Sequence, residues 1–277
     1  MYKHLLVPTD GSDTASLGVR YAVAFAKHCG AVVHGLHIID IKLLEGPFLR
    51  DLSSSLGTAP YANYQGNIAM ILEERGKAAL SVLESACEAA GVPCEAAQAT
   101  GTVPRMIVDK SALTDLVIMG RGGEHNEWLD GLLGSTTEAV ARRCTRPVLV
   151  TGTDTPGSRR FLLAYDGSQH SRAGLQHAAN MAACWNAPLD VLVVAPEASA
   201  KHRIEEARTY LAAHPVPVEY ISKEGDAAEL IVSHAKERGI DLIVMGAFGQ
   251  SKVLELVLGS TTAHTLNHAP CPVLLVR

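Results

Sequence analysis

One stretch of sequence occurs twice in this chain, and a chain that repeats itself folds as a pair. Residues 115–135 read DLVIMGRGGEHNEWLDGLLGS, and residues 241–260 read DLIVMGAFGQSKVLELVLGS. In each copy an apolar run ends in glycine, Leu116 to Met119 before Gly120 and Leu242 to Met245 before Gly246. A second glycine follows three residues later (Gly123, Gly249), and then a Gly-Ser pair opens a helical pattern (Gly134-Ser135, Gly259-Ser260). Glycines after a strand let the backbone approach a ligand closely, and N–H groups in the loop and at the helix start can hold an anion. The stretch reads as a strand, a phosphate-sized loop and a helix N-terminus.

The flanking sequence repeats as well. His4 to Thr9 ends in Asp10-Gly11-Ser12, and Phe161 to Tyr165 ends in Asp166-Gly167-Ser168. Each turn leads into a helix with an apolar face, Ala15, Val19, Ala22, Val23 and Ala26 in one and Leu175, Ala178, Ala179 and Ala182 in the other. Second strands follow at Ala31 to Asp40 and Leu189 to Ala195, and third strands at Val92 to Ala99 and Val216 to Ser222. The intervening helices are expected at Asn67 to Ala90 and from about Ser199 to Ala213. Thr102 and Asp226 are natural N-caps for the next helices. Ser135-x-x-Glu138 has the form of a capping box. Fifth strands are expected at Pro147 to Thr151 and Val273 to Val276. The halves differ mainly at 41–66, an irregular excursion with Gly46, Pro47, Gly57, Pro60 and three consecutive serines that the second half lacks. Loops this long are usually lids, contact surfaces or mobile segments, and a short helix fits within it.

Apolar strands alternating with helices predict the α/β class. The expected architecture is two tandem doubly wound domains, Rossmann-like or flavodoxin-like, each with a five-stranded mainly parallel sheet covered on both faces. The first domain spans 1–152, the turn-rich segment 153–158 is the linker, and the second domain spans 159–277. Ligands of such sheets sit outside the carboxyl ends of the strands. Asp10, Ile38, Gly120 and Ser135 fall at that edge, as do Asp166, Val194, Gly246 and Ser260.

Composition narrows the function. The 277 residues carry a net charge of −5, with a pI near 6.2, so there is no basic footprint for nucleic acid or an anionic membrane. No apolar run approaches the roughly 20 residues of a membrane span, and Pro8 and Asp10 interrupt the N-terminus too early for a secretory signal. Six scattered cysteines without a CxxC pattern read as reduced thiols of a cytoplasmic protein. The twelve histidines show no metal spacing, so no metal site is expected. No Walker A lysine, paired-carboxylate metal motif or nucleophile elbow is present, and an activity beyond slow ATP hydrolysis is not expected.

Taken together these motifs resemble the universal stress protein family, in a tandem member of its universal stress protein A class. The family pattern is an opening strand ending in Pro-Thr-Asp, followed by Gly-x2-Gly-x9-Gly-Ser/Thr. The resemblance covers nearly the whole chain and implies a stress-response protein that binds ATP, with or without magnesium. It places the adenosine end against Pro8, Thr9, Asp10 and Ile38 in the first half, or Ala164, Tyr165, Asp166 and Val194 in the second. The phosphates fall against Met119, Gly120, Gly123, Gly134, Ser135 and Thr136, or Met245, Gly246, Gly249, Gly259, Ser260 and Thr261. It also implies an intrachain pseudo-dimer joined through strand five, with the 41–66 excursion a candidate surface for a further homodimer.

The halves are not equivalent. The second keeps nine residues between Gly249 and Gly259 and offers Gln250, Ser251 and Lys252. The first has ten and brings Glu124, Glu127 and Asp130, which oppose a triphosphate, against one nearby cation, Arg121. ATP is therefore expected in the second half, although Ala164-Tyr165 departs there from the Pro-Thr opening. Plainer readings stand beside these. Ser135 and Ser260 could be N-caps, Asp10 and Asp166 turn residues, His125 and His264 solvated or capping residues, and Trp128 and Phe248 either ligand covers or packing residues. The alternative function is a nucleotide-free protein-interaction or chaperone-like scaffold. A third is an enzyme of the same layered fold, such as a nucleotidyl transferase or an electron-transfer flavoprotein.

Overall fold

Strands that are apolar at every position must be covered on both faces, and this chain gathers its most apolar strands at the centre of one sheet. The computed structural model describes residues 2–45, 58–123, 133–152, 160–247 and 258–277. The first half contains β1 (His4–Pro8), α1 (Asp13–Cys29), β2 (Val32–Asp40), α2 (Ile41–Glu45), α3 (Thr58–Ala90), β3 (Cys94–Gly101), α4 (Val103–Ser111), β4 (Leu116–Gly120), α5 (Ser135–Arg143) and β5 (Val148–Thr151). The second contains β6 (Phe161–Ala164), α6 (Gln169–Trp185), β7 (Leu189–Val194), α7 (Glu197–Leu211), β8 (Val218–Lys223), α8 (Ala227–Arg238), β9 (Leu242–Gly246), α9 (Ser260–His268) and β10 (Val273–Val276). The linker 153–158 and the loop residues Glu124, His125, Glu127, Trp128, Asp130, Phe248, Gly249, Gln250, Ser251 and Lys252 lie outside the described residues.

The strands form a ten-stranded sheet in the order β3-β2-β1-β4-β5-β10-β9-β6-β7-β8. Each half thus has the order 3-2-1-4-5, the Rossmann-like rather than the flavodoxin-like of the two expected arrangements. Pairing is parallel throughout except at the centre, where β5 and β10 run antiparallel with Val150 opposite Val273, Leu149 opposite Leu274 and Val148 opposite Leu275. The expected joint through strand five is therefore present, and it has the self-complementary form of a two-fold contact. Every residue of β4, β5 and β10 is buried, whereas the outer strands β3 and β8 alternate or are half-exposed.

Successive side chains of a strand point to opposite faces, so the sheet has two apolar layers, and both run through the two halves. One contains Leu5, Val7, Leu116, Ile118 and Leu149 with Phe161, Leu163, Val244, Leu274 and Val276. The other contains Leu6, Val117, Met119, Val148 and Val150 with Leu162, Ile243, Met245, Val273 and Leu275. Helices α1 and α6 close the joint on the first face. Tyr2 donates its hydroxyl to His177 Nδ1 at 2.6 Å, Phe25 meets the Trp185 ring edge-on at 4.7 Å, and His28 stacks on Trp185 at 4.6 Å.

At the amino edge of the strands the halves carry matching polar clusters. In the second half the fully buried Asp190 carboxylate takes Arg160 Nη1 at 2.5 Å, His234 Nε2 at 2.9 Å and Arg238 Nε at 3.5 Å, with Glu219 bridging both arginines. The same places in the first half hold His4, His34 and Glu95, linked at 2.9 and 3.2 Å. A buried carboxylate needs this many partners because an unpaired one would be strongly destabilising.

The excursion contains the short helix expected within it, α2, whereas α3 begins at Thr58 rather than Asn67. Pro60 suggested a loop, but it stands in the first turn of α3, where its missing N–H has no intrahelical partner to lose.

Because both layers cross the joint, the halves should unfold together. Leu274→Ala, which removes a fully buried side chain facing Leu149, is expected to lower the unfolding free energy by about 2–5 kcal/mol. It should shift one urea transition, with no second transition resolved by fluorescence and circular dichroism. Acid should weaken the same joint. Burial holds the His177 pKa below its ordinary 6.5, so the folded protein resists the proton that the unfolded chain accepts. The resulting loss of stability is absent above pH 6.5 and grows as pH falls from there through the lowered folded value. His177→Gln keeps an acceptor for Tyr2, and its urea midpoint is expected to fall less than the wild type's between about pH 7.5 and about pH 5.5.

Candidate functional site

The site begins at the turn after β1. Gly11 has φ +82°, a conformation that a side chain disfavours, and it lets the chain reverse directly into α1. Asp10 Oδ1 accepts from Ser12 N at 3.0 Å and Ser12 Oγ at 2.6 Å, while Ser12 Oγ caps α1 by accepting from Ala15 N. Asp166, Gly167 and Ser168 repeat the turn, with φ +73° at Gly167 and Ser168 capping α6. The turn-residue reading thus holds for one oxygen of Asp10. The other faces the glycine loop, since a Cβ on Gly123 would lie 2.8 Å from Asp10 Oδ2.

The glycines closing β4 and β9 have a packing role that the sequence did not reveal. A Cβ on Gly120 would stand 2.4 Å from Thr14 O, and one on Gly246 would stand 2.9 Å from His170 Cβ. Both glycines admit the first turn of the neighbouring helix against the strand end. Thr14 Oγ1 then donates to Gly122 O at 2.9 Å and Thr137 Oγ1 to Gly120 O at 2.9 Å, tying the loop to α1 and α5.

Helices α5 and α9 begin at Ser135 and Ser260 as expected, but their caps lie one residue before the serines. Gly134 and Gly259, not Ser135 and Ser260, are the N-caps, and neither helix has a side-chain cap. The capping box is therefore not formed, because Ser135 is already helical, and Glu138 instead faces Arg142 at 3.7 Å along its own helix. Gly134 N donates to Arg121 O at 2.9 Å. The next N–H groups, at Ser135, Thr136 and Thr137, belong to the first turn, which has no acceptor inside the helix.

These parts enclose a cavity of about 490 Å³ in the first half, at the switch point between β1 and β4. All ten first-half residues named from sequence line it: Pro8, Thr9, Asp10, Ile38, Met119, Gly120, Gly123, Gly134, Ser135 and Thr136. Val103, Ile107 and Leu36 add an apolar wall. His37, Asp40, Lys42, Leu72 and Arg75 also line the cavity and were missed. Lys42 belongs to the short helix α2 inside the irregular excursion and Arg75 to the helix α3 that follows, where no motif marks them. His37 is buried and donates from Nδ1 to Thr9 O at 2.9 Å. Gly76 lets α3 pass over that ring, because a Cβ there would lie 2.4 Å from His37 Cδ2.

The second half distributes its bulk differently. Tyr165 stands where the first half has Thr9, and Val193 where it has His37. Tyr165 is 2% exposed and belongs to the core layer beneath α7. Burial, and then the Glu206 carboxylate, push its hydroxyl up to about 12. Glu206 is itself paired with Arg172 at 2.5 Å. Ala164, Asp166, Val194, Gly246, Gly259 and Thr261 are half-exposed at the same edge, Met245 is buried and Ser260 is exposed. Arg121 is not a cation for the first-half cavity. It reaches across the joint, and Nη1 and Nη2 donate to Asn267 O at 3.5 Å and Ala269 O at 3.1 Å. Among the described residues no cluster of His, Cys, Asp or Glu could hold a metal ion, and no helix is long and apolar enough to cross a membrane.

Comparison with known proteins agrees with this architecture. The model of the universal stress protein family matches residues 1–152, 157–210 and 196–277. Universal stress protein Slr1230 of Synechocystis is 30% identical over 288 residues, covering 99% of this chain and 100% of that protein. Universal stress protein MJ0577 of Methanocaldococcus jannaschii is 31% identical over 158 residues, covering 54% of this chain and 94% of its own. The crystal structure of a universal stress protein from Archaeoglobus fulgidus superposes with a TM-score of 0.81 at 22% identity, covering 99% of this chain and 98% of that one. The chain belongs to the universal stress protein family.

The packing role of Gly120 gives a test. Gly120→Ala presses a methyl group on backbone atoms of α1 and is expected to cost about 1–3 kcal/mol of stability, read by thermal or urea unfolding. An unchanged midpoint would return Gly120 to a purely ligand-facing role.

Proposed function

We propose that this chain is a stress-response protein that binds ATP, with or without magnesium, as a ligand or regulator in its first-half cavity. The observation that carries the reading is the start of α5. A glycine N-cap without a side-chain cap presents first-turn N–H groups to a cavity at the sheet's switch point. Pro8, Thr9, Asp10 and Ile38 would receive the adenosine end, and Met119, Gly120, Gly123, Gly134, Ser135 and Thr136 the phosphates, as the family resemblance implies. The preference moves from the second half to the first for two reasons. The ten first-half residues share one cavity, and Tyr165 is committed to the core in the second. The second-half set, Ala164, Tyr165, Asp166, Val194, Met245, Gly246, Gly249, Gly259, Ser260 and Thr261, is the competing site.

One observation favours a nucleotide-free interaction scaffold instead. Leu43, Met70 and Ile71 on α2 and α3 are 50%, 64% and 59% exposed. Leu43 also lines the cavity, so part of this exposed apolar surface belongs to its wall.

Thr136→Asp separates the readings. A carboxylate in the first turn of a helix favours folding, while it occupies and repels the anion position. The variant should melt no lower than wild type and bind ATP at least about tenfold more weakly in calorimetric titration. If Thr261→Asp abolishes binding and Thr136→Asp does not, the nucleotide belongs to the second half. A wild-type protein that neither carries adenine nucleotide after purification nor takes up added ATP with magnesium would leave the scaffold.

A further inference from the structure

We propose that Asn267, in the last turn of α9 and contributed by the second half, is a positioning residue for the phosphate-facing loop of the first half. The proposal rests on reading the first-half cavity as a nucleotide site. The loop leaves β4 at Gly120, and its ends close on each other where Gly134 N donates to Arg121 O at 2.9 Å. Both ends are held by the same residue across the joint. Leu133 N donates to Asn267 Oδ1 at 3.0 Å, and Arg121 Nη1 donates to Asn267 O at 3.5 Å. Arg121 Nη2 adds a bond to Ala269 O at 3.1 Å, which places a cation on the carbonyl end of α9, the end that favours positive charge.

Leu133 immediately precedes the N-cap Gly134, so the Asn267 amide oxygen fixes the backbone from which the first-turn N–H groups of α5 project. An anion site made of backbone N–H groups is only as well ordered as that backbone, and preorganised donors bind with less loss of freedom. Asn267 touches the loop and not the cavity, so it acts through Leu133 and Arg121.

The arrangement runs in one direction. The position matching Asn267 in α5 is Arg142, and the position matching Arg121 after β9 is Ala247. A guanidinium cannot accept a hydrogen bond from an amide. The Arg142 side chain faces Glu138 at 3.7 Å, while its carbonyl accepts from Arg277 Nη1 at 3.2 Å. Helix α9 thus begins at the second-half glycine motif and ends as the brace of the first-half loop, which makes the second half a structural part of the first-half site.

The test compares wild type, Asn267→Ala and Asn267→Asp, each carrying Thr261→Asp so that only the first-half site reports. Asp keeps an acceptor for Leu133 N and faces Arg121. Asn267→Ala is expected to weaken ATP binding about tenfold, the effect of one well-placed hydrogen bond. It should also speed amide hydrogen exchange at 133–137, and Asn267→Asp should restore both. Wild-type-like binding and exchange in Asn267→Ala would overturn the proposal. So would equal losses in both variants that follow a drop in melting temperature, since that is general destabilisation. If the parent takes no ATP but the exchange pattern holds, the nucleotide reading fails and the brace stands. If the parent binds ATP and exchange is unchanged in Asn267→Ala, the brace alone fails.

Discussion

The structure depends on the antiparallel pairing of β5 with β10. Without it each half would end in a strand buried at every position yet lacking a neighbour on one side, an edge that invites association. The pairing converts two five-stranded sheets into one and lets the apolar layers on both faces run across the joint. It also sets the distance at which α1 meets α6 and at which the β4–α5 loop meets the end of α9. The aromatic cluster of Phe25, His28 and Trp185 and the bonds to Asn267 exist because those three facing residue pairs fix the register.

At the candidate site, the glycines that end and follow β4 serve the packing of the fold. Gly120 lets α1 press against the end of β4, and the Asp10 turn stands beside Gly123 of the loop that follows. The cavity is what remains between these elements once helix packing is satisfied, with walls from β2 and α4 and a floor of backbone N–H groups. A side-chain cap at the α5 start would have filled the place where an anion can stand, and a glycine cap leaves it open.

Much of this was legible in the sequence because it follows from periodicity and turn chemistry. The order of strands and helices, the Asp-Gly-Ser turns and the strand-edge position of the first-half residues came from apolar spacing and glycine placement. What was not legible depends on direction and on distant partners. Arg121 lies among the loop glycines and reads as a phosphate cation, yet its side chain turns to carbonyls more than a hundred residues away. Ser135 reads as a cap because Glu138 follows at the right spacing, but the helix begins one residue earlier than that spacing implies, with Gly134 as its cap. His37, Lys42 and Arg75 carry no motif and reach the cavity only because β2, α2 and α3 converge there. The apolar layers shared by the two halves arise from a pairing that composition cannot reveal.

In a homodimer built from two copies of one half, each side of the interface carries the same sequence, so a residue that improves one site must also be tolerated at its mirror position. Joining the copies in one chain removes that constraint. It makes their association independent of dilution and lets matched positions follow different histories. Asparagine can stand at 267 while arginine stands at 142, and threonine at 9 while tyrosine stands at 165. The covalent joint is therefore a licence for specialisation, because one copy can become scaffold while the other keeps the pocket.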